Sequence, residues 1–134
     1  MTDSDVLAGL AARWFARLTT FRRDGAPVPT PVGVVRDGDH LLVITDASTG
    51  KVKRLRHTPQ VLIAPCDPRG RVKPGVPDVA AVAEVVQDPA EVARWERLFR
   101  AQLGVMYPIA MFLQKLRGLP HDHGVGLRIT VRQP

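Results

Sequence analysis

The sequence predicts a mainly β protein with flanking helices, in which six antiparallel strands close into a small barrel. Three observations favour this fold. Several short segments are rich in β-forming residues, glycine-containing turn signals separate them, and neither a strand–helix–strand alternation nor a glycine-rich dinucleotide fingerprint is found. With 134 residues, 45% of them hydrophobic, the chain is long enough for a single domain over residues 1–134 with a substantial core.

The composition limits the cellular compartment and the kind of binding partner that we expect. The formal net charge of +6 predicts an anionic partner, and nucleic acid, an acidic lipid surface and a polyanionic small molecule all satisfy it. A single cysteine, Cys66, excludes an internal disulfide and fits a reducing compartment. The first residues lack the pattern of a signal peptide, and no apolar run approaches the roughly 20 residues that cross a bilayer. We therefore expect a cytoplasmic protein with no membrane segment.

The first half of the chain predicts a helix and three strands. Ser4 is a suitable N-cap for a helix whose apolar stripe runs from Leu7 to Leu18. The segments LTTFRR, APVPTPVGVV and DHLLVIT follow as strands, separated by hairpin signals at Asp24-Gly25 and Asp37-Gly38. Their order along the chain predicts an antiparallel meander.

The second half predicts three more strands and a well-delimited helix. The strands are QVLIAPC, VPDVAAVAEVVQ and the alternating GVGLRITV, and the small residues of the second suit the inside of a tight barrel. Asp88-Pro89-Ala90-Glu91 is a strong helix start, and Gly104 is its stop. The predicted buried face of this helix consists of Val92, Trp95, Phe99 and Leu103. A further short helix is predicted over 109–116.

The segment APVPTPVGVV has an unusual pattern for a strand. Pro27, Pro29 and Pro31 alternate, so their missing N–H groups would all face the same edge. That edge cannot pair over its first half, which is typical of an edge strand protected against aggregation. Gly33 continues the series without a side chain, and this would also permit the close approach of a flat group.

The stretch TDASTGKVKRLR, residues 45–56, carries the main functional signal. A strand ending at Thr45 and a helix starting near Gly50 would direct free backbone N–H groups at one point, next to the hydroxyl of Ser48 and the ammonium of Lys51. A cation in the first turn opposes the helix dipole, so an anion there would offset it. The sequence thus predicts a phosphate site, and the alternative is an amphipathic helix with a solvated basic face.

Two connected segments carry a resemblance to a known family. LTTFRRDGAPVPTPVGVV, followed by TDASTGKVKRLRHTPQVLIAPCDPRGR, resembles the split β-barrels related to pyridoxamine phosphate oxidase. Within them it is most similar to the actinobacterial branch of coenzyme F420-dependent enzymes. The resemblance covers most of residues 18–86 and is looser in the C-terminal part. It implies a six-stranded antiparallel split β-barrel and a homodimer with cofactor sites at the subunit interface.

The resemblance also assigns cofactor-binding residues. It implies that the strand segment from Thr30 through Pro31 and Val32 to Gly33 lies along the deazaflavin or flavin ring. It implies that a second group holds the cofactor phosphate: Thr45, Ser48, Lys51, Lys53 and Arg54. It places a third group, with Lys73, near the acidic tail of F420: Arg69, Gly70 and Arg71. Many relatives carry a bulky residue at the position of Gly33.

The implied activity is hydride transfer between reduced F420 and a small organic acceptor, with FMN as the alternative cofactor. Because the cofactor supplies that chemistry, no catalytic side chain is assigned. A non-catalytic cofactor or tetrapyrrole carrier on the same barrel remains open. A nucleic-acid-binding module is a more distant alternative, since aromatic residues make up only 5% of the chain and no recognition motif is found.

Other candidate residues have plainer interpretations. His121-Asp122-His123 could supply two metal ligands, but no third ligand lies nearby in the sequence, and we predict a loop and no metal. Cys66 is predicted to be a small strand residue instead of a nucleophile, since nothing orients a histidine toward it. Tyr107 could donate a proton beside a cofactor, although a core position at a helix end is the simpler role.

Overall fold

The computed structural model describes residues 3–12, 14–46, 50–105, 108–109 and 124–131. Within these ranges the longer elements are three helices and seven strands. The helices are α1 (Asp3–Ala11), α2 (Gly50–His57) and α3 (Pro89–Leu103). The strands are β1 (Phe15–Phe21), β2 (Pro27–Gly33), β3 (Val35–Asp37), β4 (His40–Asp46), β5 (Gln60–Pro65), β6 (Val79–Val86) and β7 (Gly124–Val131). None of the helices in these ranges combines the length and apolar character needed to cross a membrane.

All seven strands belong to one antiparallel sheet that is strongly curled. The strand order is β2-β1-β5-β6-β7-β4-β3, so the two end strands are consecutive in the chain with only Val34 between them. In a flat sheet, seven strands at about 4.8 Å spacing would separate the end strands by roughly 29 Å. Two residues of extended chain span only about 7 Å. The sheet must therefore curl until its ends meet, which confirms the predicted split barrel with flanking helices.

The prediction of six strands and a meander was wrong in one segment. APVPTPVGVV does not form one strand, because the chain leaves the sheet at Val34. The part up to Gly33 pairs with β1, whereas Val35–Asp37 pairs with β4. Strand β2 forms a hairpin with β1, and strand β3 forms a hairpin with β4. The two hairpins lie at opposite ends of the strand order. The split accounts for the seventh strand.

The predicted turns and the edge position of β2 are confirmed. Gly25 and Gly38 have φ angles of 88° and 59°, the left-handed region that the two hairpin turns require. Strand β2 pairs with β1 along its whole length and ends the strand order. Its three prolines therefore remove N–H groups from an edge that no strand in the described part of the chain occupies.

The first helix is shorter than the apolar stripe suggests. Helix α1 ends at Ala11, and Phe15 already belongs to β1. Trp14 lies between them with φ of 64°, a conformation that bulky residues rarely adopt. Leu18 points into the barrel from a strand, not from a helix, and is fully buried there. Trp14 and Leu18 are four residues apart. That spacing fits one face of a helix and equally one face of a strand, so the sequence pattern did not show where the helix ends.

The core has two layers, one inside the barrel and one outside it. The inner layer includes Leu18, Ile63, Ala81 and Leu127, and the alanine confirms the predicted use of small residues in β6. The outer layer lies between α3 and the sheet and confirms the predicted buried face of that helix: Val92, Trp95, Phe99 and Leu103. Helix α3 is also delimited as predicted, with the Asp88 carboxylate accepting from the Ala90 N–H and Gly104 as C-cap.

A polar network fixes α3 on the sheet. The Arg94 guanidinium bridges the carboxylates of Asp37 on β3 and Glu91 on its own helix. Glu91 also accepts a hydrogen bond of 3.0 Å from Nε1 of Trp95. On the other side, Arg128 lies over the Trp95 ring, 5.5 Å from its centroid, and pairs with Glu84. The network orients the largest buried side chain of the helix.

We expect this network to be sensitive to acid through Glu91. The hydrogen bond from Arg94, reinforced by the one from Trp95, lowers the pKa of Glu91 below its ordinary value of 4.5. Its contribution to stability is therefore present above that value and is lost as the pH falls through the lower pKa of the folded state. The Glu91→Gln variant should have a lower Tm than the parent at pH 6–7, and the gap should narrow below about pH 4.5.

Thermal unfolding followed by circular dichroism between pH 3 and 7 measures that gap. Glu96→Gln is the control, because it removes a carboxylate from the same helix without touching Arg94 or Trp95. A Tm difference for Glu91→Gln that stays constant down to pH 3 would show that the carboxylate charge contributes nothing.

Candidate functional site

Helix α2 lies across one end of the barrel, where the sequence predicts the phosphate site. It begins at Gly50, as predicted, and packs against β1 and β6. Val52 and Leu55 are its buried residues, so the remaining positions face outward. The Thr58 N–H donates to the Arg54 carbonyl at 2.9 Å, and Pro59 follows, which ends the helix. One face of α2 is thereby held in the core, and the cations lie on the others.

Lys51 and Arg54 are three residues apart near the start of this helix, so they lie on the same face. Both are half-buried. Burial, and then the charge of Arg54, lower the pKa of Lys51, and burial followed by the charge of Arg22 lowers the pKa of Arg54. The ion pairs between described side chains all lie elsewhere, among Arg17–Asp78 and the α3 network. The positive charge near Lys51 is thus concentrated without a described carboxylate to offset it.

Arg54 covers the first turn of α2. Its Nε donates to the Thr20 hydroxyl at 2.6 Å, which anchors the guanidinium to β1. A Cβ added to Gly50 would lie 2.6 Å from one of its terminal nitrogens. The guanidinium therefore folds back over the first turn, whose N–H groups have no acceptor within the helix. An anion placed there would meet these N–H groups, Arg54 and the ammonium of Lys51 together.

Two of the other predicted phosphate ligands lie within the described residues. Thr45 is half-buried on β4, opposite Val125. Lys53 is exposed on α2. Ser48 lies outside the described residues, so its predicted role stays a prediction.

Sequence reasoning missed two arginines and a histidine near α2. Arg22 and Arg23 follow β1, and His57 ends the helix. Together with Phe21, Lys53 and Arg54 they line a pocket of about 300 Å³. Arg22 and Arg23 are more than 25 residues from α2 in the chain, and only the pairing of β1 beside the helix brings them close. The RR dipeptide before the Asp24 turn was the one available signal.

The predicted ring-facing segment does not present one surface. Val32 belongs to the barrel core, and Thr30 shares its side of β2 opposite Leu18. The Thr30 hydroxyl oxygen is buried without a hydrogen-bond partner among the described residues. Pro31 is exposed on the other side. A Cβ at Gly33 would meet the Trp14 carbonyl at 3.8 Å and the Phe99 ring at 3.9 Å, ordinary contact distances that leave room for a side chain.

The basic turn after β5 is close to β2. A Cβ on Gly70 would lie 3.5 Å from the Pro31 ring, so Pro31 and the turn with Arg69 and Arg71 form one surface. The Asp67 carboxylate accepts from the N–H groups of Arg69 and Arg71, each at 2.9 Å. These bonds, led by the one from Arg71, lower the pKa of Asp67. The turn thus holds an internal anion, while its two guanidinium groups point outward and are exposed.

Of the remaining candidates, only Cys66 lies within the described residues. Cys66 is buried, and burial, with a smaller effect of Asp67, raises the pKa of its thiol to about 11. A thiol with that pKa is almost wholly protonated at neutral pH and is a poor nucleophile. Tyr107, the His121-Asp122-His123 triplet and the helix predicted over 109–116, beyond its first residue, lie outside the described residues.

The curled antiparallel sheet with its flanking helices defines the chain as a split barrel. The family model described as pyridoxamine 5'-phosphate oxidase matches residues 3–132. The chain therefore belongs to the pyridoxamine 5'-phosphate oxidase family. A comparison with curated proteins found no match.

Solved structures with the same fold bind different cofactors. An FAD-binding protein from Mesorhizobium loti is 18% identical, with a TM-score of 0.66 and coverage of 99% of this chain and 90% of that one. The heme storage protein HutZ from Vibrio cholerae is 20% identical, with a TM-score of 0.63 and coverage of 98% and 90%. An F420 reductase is 19% identical, with a TM-score of 0.58 and coverage of 94% and 92%. At these identities the likeness establishes the fold alone.

Proposed function

We propose that the protein is an F420-dependent oxidoreductase, which transfers a hydride between the reduced deazaflavin and a small organic acceptor. The observation that carries the proposal is the half-buried Lys51 beside Arg54 at the first turn of α2. Two partly desolvated cations at the positive end of a helix are unfavourable on their own. A phosphate between them would offset the repulsion between the two cations and would accept hydrogen bonds from the N–H groups of the turn.

The described residues fit the parts of such a cofactor. Lys51 and Arg54 would hold the phosphate, and the exposed face of β2 around Pro31 would lie against the ring. Gly33 on the same strand leaves room beside it. When bound, the deazaflavin supplies the hydride chemistry. The protein contributes binding, orientation of the ring and exclusion of water, and no described side chain is assigned a catalytic role.

FMN is the second candidate cofactor, because the phosphate seat suits either molecule and the family model is that of a flavin-type oxidase. The net charge of +6 favours F420, whose tail adds further negative charge. A carrier without turnover is supported by the likeness to a heme storage protein. A nucleic-acid module has no support beyond charge, and we expect F420 to displace any bound oligonucleotide.

We also propose a homodimer with the cofactor between its subunits. Helix α3 packs on β3, β4 and β7 and reaches β2 at Gly33 through Phe99. Pro27, Pro29 and Pro31 are exposed on β2, and a second copy of the chain would cover them. Sedimentation equilibrium at micromolar concentration with cofactor should give twice the chain mass of 14.7 kDa. A monomer under those conditions would remove the interface from the proposed site.

The proposed function is tested by cofactor preference. Equilibrium titrations of the purified protein with oxidised F420, FMN and hemin measure the three affinities side by side. We expect F420 to bind more tightly than FMN by about tenfold or more, because several additional exposed ion pairs form with its tail. Preference for FMN would support the FMN-dependent enzyme instead, and tight binding of hemin alone would support the non-catalytic carrier.

A further inference from the structure

The pocket beside α2 contains more cations than one phosphate seat requires. It is lined by Phe21, Arg22, Arg23, Lys53, Arg54 and His57. Gly50 and Lys51 do not line it, and Arg54 is the one cation that it shares with the seat of the cofactor phosphate. We infer that this pocket, called here the hairpin pocket, is a second anion-binding site beside that seat. Its ligand is a group with two or more negative charges, a phosphate ester or a polycarboxylate.

The inference rests on the charge and the arrangement of the side chains that line the pocket. Arg22 and Arg54 line the same pocket, and burial, followed by the charge of Arg22, lowers the pKa of Arg54. None of the ion pairs between described side chains involves a lining residue of the hairpin pocket. Basic side chains from two segments, the turn after β1 and α2, therefore converge without an ion pair to a described carboxylate. A bound polyanion offsets the repulsion among them.

The pocket also has preformed geometry. Nη2 of Arg23 lies 2.7 Å from Nε2 of His57, and Nε of Arg23 donates to the same ring nitrogen at 3.3 Å. Arg54 is fixed through its bond to the Thr20 hydroxyl. Two of the guanidinium groups are thus held in place before any ligand arrives, which reduces the entropy lost on binding. The volume of about 300 Å³ accommodates a group the size of pyrophosphate.

The basic turn after β5 is the rival location for a second anion, and it is less suited. Asp67 already lies at its centre and accepts the N–H groups of Arg69 and Arg71. That carboxylate repels an incoming anion, whereas the described lining of the hairpin pocket contains none. Two sources could supply the anion: the acidic tail of the cofactor or a separate small molecule.

The test uses the full chain without cofactor and inorganic pyrophosphate as the probe, titrated by calorimetry at low salt. The double variant Arg23→Gln, Lys53→Gln removes two cations of the pocket. Arg56→Gln, Arg97→Gln removes two exposed cations elsewhere and keeps the net charge matched. We expect the pocket variant to bind pyrophosphate about 5- to 30-fold more weakly and the matched variant less than twofold more weakly. Equal losses in both, or no saturable binding, would overturn the inference.

Two further measurements separate this site from the proposed cofactor seat. Lys51→Ala should leave pyrophosphate binding within about threefold, and a loss confined to this variant would place the anion at the seat and overturn the inference. Competition then identifies the source. Displacement of pyrophosphate by long-tailed F420 but not by a tail-less deazaflavin phosphate identifies the tail, and displacement by neither identifies a separate ligand. Displacement by both would mean a single shared site and would contradict the inference.

Discussion

Replacement of Gly126 by alanine is expected to destabilise the protein by about 2–3 kcal/mol or more. Gly126 lies on β7 directly under the Trp95 ring. A Cβ there would be 2.5 Å from Cε3 and 2.9 Å from Cη2 of the ring, and nearer still to Cζ3. The ring cannot retreat easily, because it is fully buried and its Nε1 is bonded to Glu91. Alanine normally suits a strand at least as well as glycine, so backbone preference alone predicts the opposite sign.

Urea unfolding of the variant measures this effect, and Gly9→Ala is the matched control. Gly9 lies in α1 with nothing within 4 Å of an added Cβ, so this variant should be more stable by roughly 0.5–1 kcal/mol. In a Trp95→Leu background, Gly126→Ala should cost clearly less, because the two sites are coupled through the ring. Gly126→Ala as stable as the parent would show that α3 does not pack on β7 in this way.

Replacement of Lys51 by alanine is expected to weaken F420 binding about 10- to 100-fold, whatever the length of the acidic tail. Lys51 is assigned to the phosphate that every form of the cofactor carries, and one charge-assisted bond contributes about 1.5–3 kcal/mol. The ammonium is half-buried, so solvent screens it less than a surface lysine. Fluorescence titrations with short-tailed and long-tailed F420 measure the effect.

The triple variant Arg69→Gln, Arg71→Gln, Lys73→Gln is the comparison. These cations are exposed, and such ion pairs contribute roughly 0.2–1 kcal/mol each. The variant should therefore leave a tail-less deazaflavin phosphate unaffected and weaken long-tailed F420 a few-fold, more at low salt. If the tail lies in the hairpin pocket instead, this variant changes nothing and the pocket variant carries the loss.

Local signals in the sequence were sufficient for many elements of the fold. The Asp88-Pro89 start and Gly104 stop of α3, the glycine turns at 25 and 38 and the strand over 124–131 each depend on residues close together in the chain. Helix α2 and its buried Val52 and Leu55 were equally accessible, because their spacing is helical. The proposal of a phosphate site at the start of α2 depends on the same local signals.

Features that depend on distant pairing could not be predicted. The break at Val34 follows from closure of the barrel, which no local pattern records. The glycine at 126 appeared to be an ordinary weak strand residue until α3 placed Trp95 above it. Arg22 and Arg23 were likewise predicted at the end of a strand and became part of a pocket only because β1 passes beside α2.

The seat at the first turn of α2 is the central claim, and one measurement tests it most directly. The affinity of the parent protein for a tail-less deazaflavin phosphate is compared with its affinity for the same molecule without the phosphate, and both titrations are repeated with Lys51→Ala. We expect the phosphate to strengthen binding to the parent by at least about tenfold and to the variant by far less. An equal gain in both proteins, or no gain in the parent, would contradict the assignment of Lys51 to the phosphate.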